Sequence, residues 1–192
     1  SLEVATHELG HNYGLGHAHY WNLATGNGTL GHVNSDGSFI EKEEYGDDFD
    51  IMGNVNNGIT LPSAQYNAHG KVALNWIEQK EVINVNTSGV YRIFRFDHKD
   101  ARTNANTKLA LKVVAAGEEY WVAHRKLFTA NANMSKGANI VRADGNNDQS
   151  LIDTTPLSKT GSNYTNDRDD GALAIGKSFT DSLGTVRITT LA

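Results

Sequence analysis

The chain has 192 residues, 39% of them hydrophobic, with 17 Lys and Arg against 22 Asp and Glu for a formal net charge of −5. That supplies a packed soluble domain or two small ones, and the lack of a basic cluster argues against nucleic acid as a partner. No apolar run approaches the roughly 20 residues of a membrane span, and without cysteine any metal has to be held by His, Asp, Glu or carbonyl oxygens.

Ser1-Leu2-Glu3-Val4 has no basic region leading into an apolar one, so no signal peptide is expected and the sequence reads as a fragment. Leu2, Ala5, Leu9 and Tyr13 recur near helical spacing with His7, Glu8 and His11 on the adjoining face, which predicts a helix with chemistry on one side. Gly14 is expected to stop it, since glycine takes the left-handed conformation without a Cβ clash. Residues 20–60, rich in Gly, Asn and Asp, read as an irregular loop of the long kind that is often functional.

Leu61-Pro62-Ser63 predicts a second helix over 64–77, with Ser63 as N-cap and Tyr66, Ala73, Leu74 and Ile77 as its apolar stripe. Beyond residue 80 the chain turns into short β-rich runs at 82–85, 90–96, 109–114, 119–125, 139–142 and 186–190. They predict an antiparallel, sandwich-like unit. The expected class is α+β, divided into 1–79 and 80–192.

His7-Glu8-Leu9-Gly10-His11-Asn12-Tyr13-Gly14-Leu15-Gly16-His17 carries the chemistry. Two histidines four apart share one helical face and can reach one ion. A turn at Gly14 would bring His17 to a third position and leave the fourth open for water, as a catalytic zinc site requires. Three neutral ligands leave the ion its full charge, which lowers the pKa of bound water toward about 7. Glu8, one residue after the first ligand, is then placed to take the proton.

This string resembles the elongated zinc motif of the metzincins, and Tyr45-Gly46-Asp47-Asp48-Phe49-Asp50-Ile51-Met52-Gly53 looks like their Met-turn. The Tyr45-Gly46-Asp47 lead-in, Asp50 two places before Met52, and Tyr66-Asn67-Ala68-His69-Gly70-Lys71 followed by Leu74-Asn75-Trp76 are most similar to the gametolysin-like peptidases. The resemblance covers residues 5–17 and 45–76. It implies a secreted zinc endopeptidase acting on protein or peptide substrates. His7, His11 and His17 would hold one catalytic Zn2+, Glu8 would be the general base, and Met52 the apolar floor beneath the histidines. Residues 1–79 would be the C-terminal portion of a metzincin (zincin-like) catalytic domain, followed by a β-sandwich-like domain over 80–192. Two positions depart from the pattern. Asn54 stands where astacin-like relatives carry a tyrosine, so no tyrosine ligand is expected, and the twisted sheet that metzincins place before this helix is missing.

Other residues have plainer readings. His19 competes with His17 past the turn, but the family spacing selects His17. His32, His69, His98 and His124 lack a partner at ligand spacing and read as structural, His69 packing its helix against the site. The acidic stretches 47–50, 144–148 and 166–170 offer oxygens of the kind Ca2+ prefers, although such loops are usually solvated turns. Asp50 has a further reading, fixing the Met-turn or a ligand's second nitrogen. Tyr91, Phe94, Phe96, Tyr120 and Trp121 suit a groove, or more simply the core. Against the enzyme stand a non-catalytic binding module that retains a zinc site and, last, a structural zinc, which would leave Glu8 without a role.

Overall fold

The computed structural model describes residues 2–22, 32–33, 39–40, 43–54, 64–97, 106–127, 132–156, 158, 169–181 and 183–192. The class is α+β. Helix α1 spans Leu2–Asn12 and ends as expected at Gly14, whose φ is +86°. Gly14 N–H donates to His11 O at 2.9 Å and Leu15 N–H to Gly10 O at 3.1 Å, the paired bonds with which a left-handed glycine closes a helix.

The apolar stripe of α1 does not face inward as its periodicity suggested: Leu2, Leu9 and Tyr13 are 68%, 48% and 67% exposed. The helix is held by its other side. Gly10 is its buried residue, and a Cβ there would overlap Met52 Sδ and sit 3.2 Å from the Tyr66 ring. Only glycine lets the two segments approach so closely. Tyr66 Oη donates to Thr6 O at 2.7 Å and fastens the same face.

The expected second helix is corrected to α2, Ala68–Ala73; its expected N-cap, Ser63, lies outside the described residues. Asn67 is the cap, its side chain accepting from Gly70 N–H at 3.1 Å. Its own N–H is taken by the buried Asp50 carboxylate at 2.6 Å, which fixes where the helix begins. Asn75, with φ at +56°, ends it before Ile77. Val72 takes the inward place expected for the exposed Ala73.

The strands are β1 (Ala18–Asn22), β2 (His32–Val33), β3 (Phe39–Ile40), β4 (Val82–Val85), β5 (Ala110–Ala115), β6 (Glu118–Ala123), β7 (Gly137–Gly145), β8 (Asp148–Asp153), β9 (Leu173–Ala174), β10 (Ser178–Thr180) and β11 (Arg187–Thr189). A seven-stranded sheet runs β1-β8-β7-β6-β5-β4, with β9 paired to β7. It is mixed rather than antiparallel throughout, because β1 lies parallel to β8 and β4 parallel to β5. The run expected as a strand at 90–96 is not one; Phe94 N–H, to Lys108 O, and Phe96 N–H, to His124 O, tie it to the chain alongside.

Alternation along the strands gives the sheet two apolar faces. Trp121, Val141 and Leu151 pack with Leu15, Met52 and Tyr66 on one. Tyr120, Ile140 and Ile152 pack with Phe179 and Val186, around the β10–β11 hairpin, on the other. The sheet and the first cluster therefore draw on both sides of residue 80. Among the described residues no helix is long and apolar enough to cross a membrane.

Candidate metal centre

His7 and His11 face each other from successive turns of α1, their Nε2 atoms 3.1 Å apart. Each Nδ1 is bonded to a carbonyl, His7 to Ile51 O at 2.8 Å and His11 to Leu15 O at 2.9 Å. A carbonyl only accepts, so both Nδ1 atoms carry a proton, and in a neutral ring Nε2 then offers its lone pair. Two lone pairs at that distance repel unless something positive lies between them. His17, beyond the turn, has no such carbonyl bond among the described residues; its Nδ1 lies 3.4 Å from the exposed Glu44 carboxylate.

The ligating atoms of His7, His11 and His17 lie within 4.8 Å of one another, the one metal-ligating group of three or more such side chains among the described residues. Nitrogens 2.0–2.1 Å from a tetrahedral ion stand about 3.4 Å apart, so the two helical rings are close to ligating spacing. Burial, helped by His11 and His7 beside it, holds His17 below the usual histidine range against the pull of Glu44 and Asp148. A neutral ring is the form a metal needs. The donor set thus fits a divalent ion that prefers imidazole.

Met52 is fully buried against Gly10, under the helix that bears His7 and His11. Asp50 resolves to the first of its two readings: Oδ1 accepts from Met52 N–H at 2.7 Å and Oδ2 from Asn67 N–H, so it fixes the turn and does not touch a ligand nitrogen. Asp47 Oδ1 accepts from Phe49 N–H at 2.9 Å. Arg125, arriving from just beyond β6, donates through Nη1 to Phe49 O at 2.8 Å. Ala18 N–H donates to Met52 O at 2.9 Å and Asp47 N–H to Ala18 O at 3.3 Å, which ties the turn to the residue after His17.

Burial, then repulsion from Asp50, pushes Asp47 up to about 8, and burial pushes Asp50 up to about 6. Both lie above their unfolded value near 3.8. The folded chain therefore holds more protons across this range. The stability these groups contribute is complete below about 3.8 and is lost as pH rises through about 6 and about 8. Urea unfolding in EDTA between pH 5 and 8.5 is expected to show that decline in the wild type and a flatter curve in Asp47→Asn, whose amide oxygen still accepts from Phe49 N–H. Parallel curves would refute the assignment to Asp47.

Three residues that sequence reasoning gave no role here belong to the surroundings of the site: Tyr45, Arg125 and Asp148. The Tyr45 ring lies 4.1 Å from that of His17 and 6.0 Å from that of His7, centroid to centroid. Its φ is +58°, a conformation costly for a bulky side chain and held only where surroundings impose it. The only sequence signal was its place in the Met-turn lead-in. Glu8 is exposed on α1, next to His7.

His19 stays out of the cluster, buried with its ring 6.2 Å from that of His17. His69 bonds Gln149 Oε1 at 2.8 Å and lies edge-on to Trp121, so it packs α2 against the sheet. His124 bonds Gly137 O; the His32 side chain and His98 lie outside the described residues. In the acidic stretches, oxygens of Asp47, Asp50, Asp144 and Asp148 are engaged by protein donors. Phe96, Tyr120 and Trp121 are core, while Phe94 is exposed. Comparison of the chain with protein-family models, curated proteins and solved structures finds no match.

Proposed function

We propose that this chain carries the catalytic zinc site of a secreted metzincin-type endopeptidase, gametolysin-like in its motifs, acting on peptide bonds of proteins. In that reading residues 1–79 are the C-terminal portion of the catalytic domain and 80–192 a sandwich-like unit, with β10–β11 as the cover on one face of its sheet. The observation that carries it is the pair of His Nε2 atoms 3.1 Å apart with a third histidine beside them, set in HExxHxxGxxH.

His7, His11 and His17 would hold the ion, and the bonded Nδ1 atoms of His7 and His11 would keep those two rings turned toward it. Bound there, zinc supplies a Lewis acid for the scissile carbonyl and lowers the pKa of water toward about 7. Glu8 accepts the proton of the attacking water and returns it to the leaving amine, as a positioned carboxylate does in general acid–base catalysis. Met52 keeps the underside of the histidines dry, and the Tyr45 ring walls the site beside His17.

The purified chain is expected to bind close to one zinc per molecule and its full-length parent, given zinc, to cleave casein. His11→Ala leaves two protein ligands and should abolish both. Metal analysis and a casein assay on the two proteins check this. Equal zinc in both would remove the site, and stoichiometric zinc without turnover would favour the non-catalytic binding module.

A further inference from the structure

We infer that the β7–β8 turn is the positioning element for the third ligand, with Asp148 its principal residue and Asn147 its second. This rests on the zinc reading and extends it to residues far from the motif.

His17 lacks what fixes the other two histidines. It lies beyond α1, after the glycine turn, on a segment with two glycines among its four residues 14–17. Left to itself such a segment samples many conformations, whereas a metal site needs its ligands within about 0.5 Å of their geometry. The β7–β8 turn supplies the constraint. Asn147 Nδ2 donates to Gly14 O at 2.7 Å, and Gly16 N–H donates to Asn147 O at 3.1 Å. His17 N–H donates to Asp148 Oδ1 at 3.0 Å, across 131 positions of sequence. Gln149 N–H donates to His17 O at 3.1 Å, after which β1 continues beside β8 in the Ala18–Gln149 register.

Both strand-connecting residues are asparagines with positive φ, +50° at Asn146 and +60° at Asn147, the two-residue turn that matches the twist of a hairpin. The turn is therefore preformed by its own strands and can serve as a rigid template. Its approach also explains Gly16, where a Cβ would overlap Asp148 Oδ1 and stand 2.7 Å from Asp148 N and 2.8 Å from Asn147 C. The second carboxylate oxygen of Asp148 lies 3.5 Å from Nε2 of His19, which is 3% exposed. Asp148 thus lies between the backbone of His17, which it accepts from, and a buried ring. Outer partners of this kind set metal affinity by about 10–100-fold.

Zinc affinity by competition with a chromophoric chelator, the visible spectrum of the Co2+-loaded protein, and the apo far-UV circular dichroism test the inference together. Asp148→Ala should lower zinc affinity about 10–100-fold and alter the Co2+ spectrum, with apo secondary structure retained. Asp148→Asn, which keeps an oxygen to accept from His17 N–H, should recover most of the affinity. Wild-type affinity and spectrum in Asp148→Ala would overturn the inference while leaving the zinc site intact, whereas no zinc on the wild type removes the site itself. If Asp148→Ala does not fold, Asn147→Gly decides. Glycine accepts the positive φ and loses only the bond to Gly14 O, so a several-fold drop in affinity supports the inference and wild-type affinity overturns it.

Discussion

Glu8→Gln is expected to keep zinc bound and lose essentially all peptide hydrolysis, with kcat falling about 10²–10⁴-fold. The two effects separate because Glu8 is exposed on α1 and is not one of the three side chains in the metal-ligating group. The amide matches the carboxylate in size and suits a helix equally well, but its oxygen is far too weak a base to take a proton from water. The loss should fall on kcat rather than KM, as when an interaction made in the transition state is removed. Zinc content, circular dichroism and casein turnover, measured on wild type and variant side by side, check each part. A variant that cleaves casein at near the wild-type rate would strip Glu8 of the role of base, whatever the metal content.

What the sequence disclosed is what lies close together along it. The i, i+4 histidines, the glycine that ends α1 and the runs that became β4, β5 and β6 are local patterns, and the backbone follows them. Longer-range matters were hidden. The stripe of Leu2, Leu9 and Tyr13 looked like a core face, yet the closest packing on α1 is through Gly10, because Met52 needs the space a side chain would fill. The second helix is shorter than its apolar spacing implied, since Asp50 anchors Asn67 and thereby sets the cap. No periodicity marks the parallel pairing of β1 with β8, which depends on residues 131 positions apart. Asp148 looked like part of an Asn- and Asp-rich turn, and Arg125 like the end of a strand. Both acquire meaning only when the sheet brings them to the loop that bears His17 and the turn that bears Met52.

Arg125→Met is expected to destabilise the fold by about 3–5 kcal/mol, the usual cost of leaving buried charge without its partner. Arg125 is 3% exposed. Burial draws its pKa down and the carboxylates of Asp47, Asp50 and Asp97 pull it back up. Its Nη1 also holds Phe49 O, in the turn that carries Met52. Methionine has comparable length and no charge, so packing is largely kept while the carboxylates lose their cation and Phe49 O loses this donor, keeping the longer bond from Gln65 N–H. Against a total stability of about 5–15 kcal/mol this is a large fraction, and it corresponds to a fall in thermal midpoint of roughly 6–20 °C for a chain of this size. Because the deficit comes from carboxylates that are harder to ionise without the arginine, it should widen as pH rises from 5 to 8. The same substitution should weaken zinc binding, since Ile51 O, which fixes His7 Nδ1, belongs to the loosened turn. Urea unfolding in EDTA at several pH values, followed by zinc titration of the folded variant, measures both effects. A loss under about 1 kcal/mol, unchanged with pH, would mean that the buried carboxylates do not depend on this arginine.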